Sequence, residues 1–123
     1  SGSLIKIIDN TSTSMGARML KKWLEKPSLD IGEINRRLDA VQQINKNIIL
    51  RDDIMSSMRG IYDLERIAGR ASYGNISPRD CVQLCGSLSA LRLTKQKLAD
   101  VDNETIRKNK SAIPDFDYLE KLL

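Results

Sequence analysis

Ser77-Pro78-Arg79-Asp80-Cys81-Val82-Gln83-Leu84-Cys85-Gly86-Ser87-Leu88-Ser89-Ala90-Leu91-Arg92-Leu93-Thr94-Lys95-Gln96-Lys97-Leu98-Ala99 is the stretch on which the fold turns. Its first four residues open a helix with the right chemistry at each position. Ser77 caps, Pro78 fits the first helical residue without losing a bond, and Asp80 sits at the positive end of the dipole. Behind them Cys81, Leu84, Cys85, Leu88, Leu91 and Leu98 recur at helical spacing to about Ala99. A helix of about 20 residues spans roughly 30 Å. That is long for a chain of 123 residues and suits a rod rather than an element wrapped around a globule.

Upstream, Tyr73-Gly74-Asn75 closes the preceding helix, because Gly and Asn tolerate the left-handed conformation a helix end often needs. That helix is expected over Ile61 to Ser72, with Ile61, Leu64, Ile67, Ala68 and Ala71 inward and Asp63, Arg66 and Arg70 on the other side. Gly60 separates it from a helix over about Leu50 to Arg59 that buries Ile54, Met55 and Met58. Asp30 with Glu33 three residues later resembles a capping box. From there Ile31, Ile34, Leu38, Val41 and Ile44 follow a helical stripe to about Asn45, and Glu33 and Arg37 form a favourable pair four apart. Thr13 caps a helix running to about Lys26 and stopped by Pro27, with Met15, Met19, Leu20, Trp23 and Leu24 as its buried stripe. Leu4 to Ile8 is apolar on two faces and reads as a short helix, although a buried strand fits the same residues.

Downstream, Asp100 to Asn103 is a polar break and Thr105 to Lys110 makes one or two weak turns. Pro114 breaks again, and Asp115 or Asp117 caps a last apolar-periodic piece with Phe116, Leu119, Leu122 and Leu123. That pattern has no stop signal, so a chain truncated at its C-terminal end is expected. The fold expected is all-α: a multi-helix bundle of about five to seven helices, forming a single helical domain over residues 1–123.

Composition narrows the chemistry. There is no histidine, which removes imidazole bases, Ser-His and Cys-His pairs and histidine metal ligands. Cys81 and Cys85, one helical turn apart, are too few for a structural zinc and read as buried inert thiols. No apolar run is long enough for a membrane span. Aspartates and glutamates sit mostly at caps and on charged faces, so no catalytic, cofactor or metal residue is assigned. With 20 basic against 16 acidic residues the net charge is +4, which permits nucleic-acid contact without demanding it. Arg18, Lys22 and Lys26 form a basic row at spacing four. Together with Lys21 they are the candidates for weak phosphate contacts, set against the plainer reading of a solvated face whose last-turn cations suit the dipole. Arg107, Lys108 and Lys110 form a second cluster. No aromatic is interleaved with either, so any binding is expected to be weak, salt-sensitive and blind to sequence.

Four motifs in order carry a resemblance. They are Thr13, Met15-Gly16, Arg18, Leu20 and Trp23-Leu24 followed by Pro27; Asn35-Arg36-Arg37-Leu38-Asp39-Ala40-Val41; Ile61-Tyr62-Asp63-Leu64-Glu65-Arg66; and Ser77-Pro78-Arg79-Asp80. Over nearly the whole chain the sequence resembles the core, or lever, domain of MutS-type DNA mismatch repair proteins. The resemblance implies a bacterial, cytoplasmic protein whose intact form dimerises around duplex DNA, recognises mispairs and uses ATP with Mg. It also implies that this chain is the first part of a discontinuous core, linking a DNA clamp to an ATPase without a catalytic site of its own. No G-x-x-x-x-G-K-[ST] phosphate loop is present. The one Phe, Phe116, precedes Asp117-Tyr118 rather than the x-Glu of the family's mismatch reader. Neither ATPase nor mismatch-reading residues carry over, and Met15-Gly16 reads as close packing of a first turn. The alternative is a helical protein-interaction module or a weak, non-specific DNA-binding one.

Overall fold

The computed structural model describes residues 3–116 and Lys121. Among them the chain forms seven helices and no strand: α1 (Ser3–Ile8), α2 (Ser14–Glu25), α3 (Ile31–Asn45), α4 (Ile48–Met58), α5 (Leu64–Ser72), α6 (Pro78–Lys97) and α7 (Glu104–Ala112). The all-α reading stands, and Leu4 to Ile8 is helix rather than strand. The last expected piece, with Asp117, Leu119, Leu122 and Leu123, lies outside the described residues. Asp115 accepts from Lys95 Nζ at 3.0 Å.

From α2 onward every helix start is held by a side chain accepting one of the free first-turn amides. Thr13 takes the Gly16 amide at 2.9 Å, Asp30 that of Glu33 at 3.3 Å and Asn47 that of Leu50 at 3.0 Å. Asp63 takes the Arg66 amide at 3.3 Å, Ser77 that of Asp80 at 3.1 Å and Asn103 that of Ile106 at 3.0 Å. These caps also correct three expected boundaries. Asn47 starts α4 at Ile48 rather than Leu50, and Asp63 delays α5 to Leu64. Asn103 supports nine residues of α7, more than the expected one or two turns. The box at Ser77 is reciprocal, its own amide donating to Asp80 Oδ2 at 3.0 Å. At Asp30 the reciprocal half is missing, because Glu33 turns to the Ser28 hydroxyl at 2.6 Å and to Arg37.

Two glycines are demanded by geometry. A Cβ on Gly16 would lie 3.0 Å from Thr13 Oγ1, which fits a tightly packed first turn. Gly74 has φ +72° and ends α5. Its amide bonds the Ala71 carbonyl at 3.1 Å, and the Asn75 amide bonds that of Arg70 at 2.9 Å, the paired closure of a Schellman end.

The long helix α6 is the axis. α4 and α5 both pack on it, while α3 joins α4 to α7. The buried apolar core is Ile54, Ile61, Ile67, Leu88 and Ile106. On α6 the expected leucine and cysteine stripe is only half-covered apart from Leu88, and Cys81 and Cys85 are half-covered free thiols rather than buried ones. The buried side of α6 is instead Asp80, Ser87, Leu88 and Thr94. Thr94 and Ser57 hydroxyls lie 2.8 Å apart, each also within reach of a carbonyl of its own helix. Ser87, fully buried, donates to the Gln83 carbonyl and accepts the Tyr62 amide, both at 2.8 Å. Small hydroxyl side chains satisfied in this way let backbones approach closely. A Cβ on Gly60 would stand 3.2 Å from Ala90 Cβ. A row of leucines would hold α4 away.

The stripes expected on α2 and α3 are not buried. Neither helix has a buried residue, and Met19, Leu38 and Val41 are more than half exposed. In α5, Ala68 and Ala71 are exposed as well. The accessible surface is 9143 Å², whereas a compact monomer of this mass exposes roughly 6,700 Å². Among the described residues these faces are at most half-covered, as at Met15, Leu20 and Ile44.

Candidate functional site

Arginines on three different helices make the main polar contacts between elements. Arg18 on α2 forks onto Asp63 at the start of α5, Nη1 to Oδ2 at 2.7 Å and Nη2 to Oδ1 at 2.8 Å. Nη2 also reaches Glu65 Oε2 at 3.0 Å. Arg70, near the end of α5, forks onto Asp80 in the first turn of α6, Nε to Oδ2 at 3.1 Å and Nη2 to Oδ1 at 2.7 Å. Arg37 on α3 stacks over the Trp23 ring of α2, 3.8 Å from its centroid, and pairs with Glu33. The planar guanidinium suits all three uses, bidentate to carboxylate or flat on an indole.

α5 is therefore a strut with a fork at each end. Both of its aspartate partners also serve as helix-start groups. Asp63 caps α5, and Asp80 completes the box that opens α6. The charge-assisted bonds favour the ionised carboxylates. Asp63 is lowered from its ordinary 3.8 to about 2, mainly by Arg18 and then by the Arg66 amide, against the opposing effect of burial. Asp80 is lowered to about 2, mainly by Arg70 and then by the Ser77 amide. Arg18 and Arg70 are shifted upward by the same bonds.

The candidate phosphate contacts separate. Arg18 is engaged by its two carboxylates. Lys21 Nζ lies 3.9 Å from Glu25 Oε1 on the exposed side of α2. Lys22 and Lys26 are exposed and make no ion pair among the described residues. In the second cluster Arg107 pairs with Asp102 at 3.0 Å. Lys108 borders an open groove of about 730 Å³ between α2, α3 and α7, where Arg36 and Arg37 are matched by Glu33, Asp39 and Glu104. Its charge is mixed. Sequence reasoning placed Asp63, Arg66 and Arg70 on a solvated face and missed both forks. The Arg70–Asp80 pair spans ten residues across a turn, whereas Arg18 and Asp63 are 45 residues apart, beyond any local pattern.

At each start of α2 to α7 one of the first-turn amides, the groups that cradle a phosphate at a helix start, is taken by the chain's own cap. No group of three or more potential metal ligands is found among the described residues, and none of their helices is long and apolar enough to cross a membrane.

Helices positioned by caps and interhelical forks around a slender core define a helical structural element. Its features serve to hold helices in place. The profile of MutS domain III matches residues 1–123, and the chain belongs to that family. It is 43% identical over 122 residues to the DNA mismatch repair protein MutS of Alkaliphilus metalliredigens, covering 99% of this chain and 14% of that protein. It is 41% identical over 122 residues to that of Desulforamulus reducens, with the same coverage. To that of Lactobacillus delbrueckii subsp. bulgaricus it is 41% identical over 107 residues, 87% of this chain and 12% of that protein. The chain thus spans about one-seventh of the length of these relatives.

Proposed function

We propose that this chain is the core, or lever, segment of a DNA mismatch repair protein, the first part of a core that is discontinuous in sequence. It passes strain between parts that grip mismatched duplex DNA and parts that use ATP with Mg, in a cytoplasmic bacterial homodimer, and does no chemistry itself. The family match over all 123 residues carries this reading. The forks at both ends of α5 support it, because directional charge-assisted bonds link α2, α5 and α6 in series. Lever action requires packed elements with two discrete arrangements, and a fork is either made or broken. Lys21, Lys22 and Lys26 add at most weak, salt-sensitive contacts to DNA phosphates.

The test is Leu88→Ala, or the milder Leu91→Ala, in the intact protein, with the ATP dependence of release from mismatched DNA as readout. Leu88 is buried on α6, so its truncation costs about 2–5 kcal/mol. ATP-driven release is expected to weaken. Normal coupling despite the lost stability counts against a lever role for α6.

A further inference from the structure

We propose that α2 is a hinged arm, held on the start of α5 by the Arg18 fork over Asp63 and Glu65, and released as a unit when that fork opens. This goes beyond a lever role for the chain as a whole, because it assigns the moving part and its catch, and it stands whether or not the chain works in mismatch repair.

The first ground is what holds α2. No residue of α2 is buried, and the five buried apolar residues lie in α4 to α7 and in the turn before α5. Met15, Ala17 and Leu20 are half-buried, and from Lys21 to Lys26 the arm's residues are exposed, Trp23 and Leu24 at 40%. The hydrogen bonds that shape its flanking loops are local. Thr11 bonds Asp9 on one side and Asp30 bonds Ser28 on the other. Pro27 lies in the non-helical link between α2 and α3. Its specific fastenings to other helices are the Arg18 fork and the half-exposed stack of Trp23 on Arg37.

The second ground is the geometry of the catch. Two parallel bonds to Asp63 set one orientation of the guanidinium, and a third to Glu65 places it across the first turn of α5. Opening the fork does not require α5 to unwind, since Asp63 keeps the Arg66 amide, and Arg70 still ties α5 to α6. The arm can therefore leave while the body stays folded.

The chain has one tryptophan, and it sits on the arm. Hydrogen exchange of the α2 amides and acrylamide quenching of Trp23 report the arm, while the α4 and α6 amides report the body. Asp63→Asn retains a good capping residue and removes the carboxylate charge. Arg18→Gln breaks the fork from the other side and leaves the cap untouched. Each is expected to speed exchange in α2 about ten-fold or more and to raise Trp23 quenching, with α4 and α6 unchanged. The double variant is expected to fall well short of the sum of the two single effects, as for groups coupled through one shared contact. Unchanged exchange in α2 overturns the proposal. So does acceleration shared equally by α4 and α6, which would make the fork part of one cooperative body, and so does full additivity of the two substitutions.

Discussion

At the scale of single residues, the polar groups inside the body are each matched to a named partner. Ser87 is the clearest case. It occupies a position where a larger side chain has no room, and its hydroxyl is the acceptor for the Tyr62 amide. Ser87→Ala leaves that amide without its partner and is expected to cost about 1–3 kcal/mol, measured by urea unfolding. A neutral result would mean that water replaces the hydroxyl. Caps of this kind were legible in the sequence because they act within three residues: Thr13, Asp30 and Ser77 sit where the pattern places them. Ser87 carried no signal, since a serine within a helical stripe looks like any other surface serine. Asp63 read only as part of a charged helix side, and the partner that defines its carboxylate comes from another helix.

At the scale of elements, α6 shows both what a pattern carries and what it omits. Its start, length and end follow from Ser77-Pro78-Arg79-Asp80 and the spacing behind it, and the structure places it at Pro78–Lys97. Which side faces α4 did not follow. Periodicity marks the leucines as the inner side, yet the closest approach uses Ser87, Ala90 and Thr94. Apolar area and closeness of packing are different quantities, and a hydropathy stripe reports only the first. In α2 and α3 the stripes are present but their covering is not, so the pattern was legible and the burial was not. Ser77→Ala tests the start signal of α6. It removes the Asp80 amide's acceptor while Arg70 still holds the Asp80 carboxylate, so a loss of about 1 kcal/mol is expected in denaturant unfolding. A loss well above about 2 kcal/mol would show that the box and the fork stand or fall together.

At the scale of the whole molecule, ionic fastening makes stability depend on acid. Asp63 and Asp80 are held near 2 in the folded chain against an ordinary 3.8. The unfolded chain therefore takes up protons first as pH falls, and folding is opposed. The contribution is fully present above the ordinary value and is lost as pH drops through about 2. Urea midpoints followed from about pH 6 to about pH 2 are expected to fall mainly below about pH 4. Asp80→Asn is expected to flatten that decline while lowering the plateau above it. An unchanged slope would place the acid sensitivity in other carboxylates. Arg18 and Arg70 are both about 40% exposed at their side chains, so salt in the buffer shrinks the effect. The contact between Gly60 and Ala90 sets a tolerance for the same body. With 3.2 Å between Ala90 and the place where a methyl on Gly60 would sit, Gly60 has little spare room. The pair works as a shim, and one carbon added at Gly60 would press the turn that follows α4 against α6 by a few tenths of an ångström.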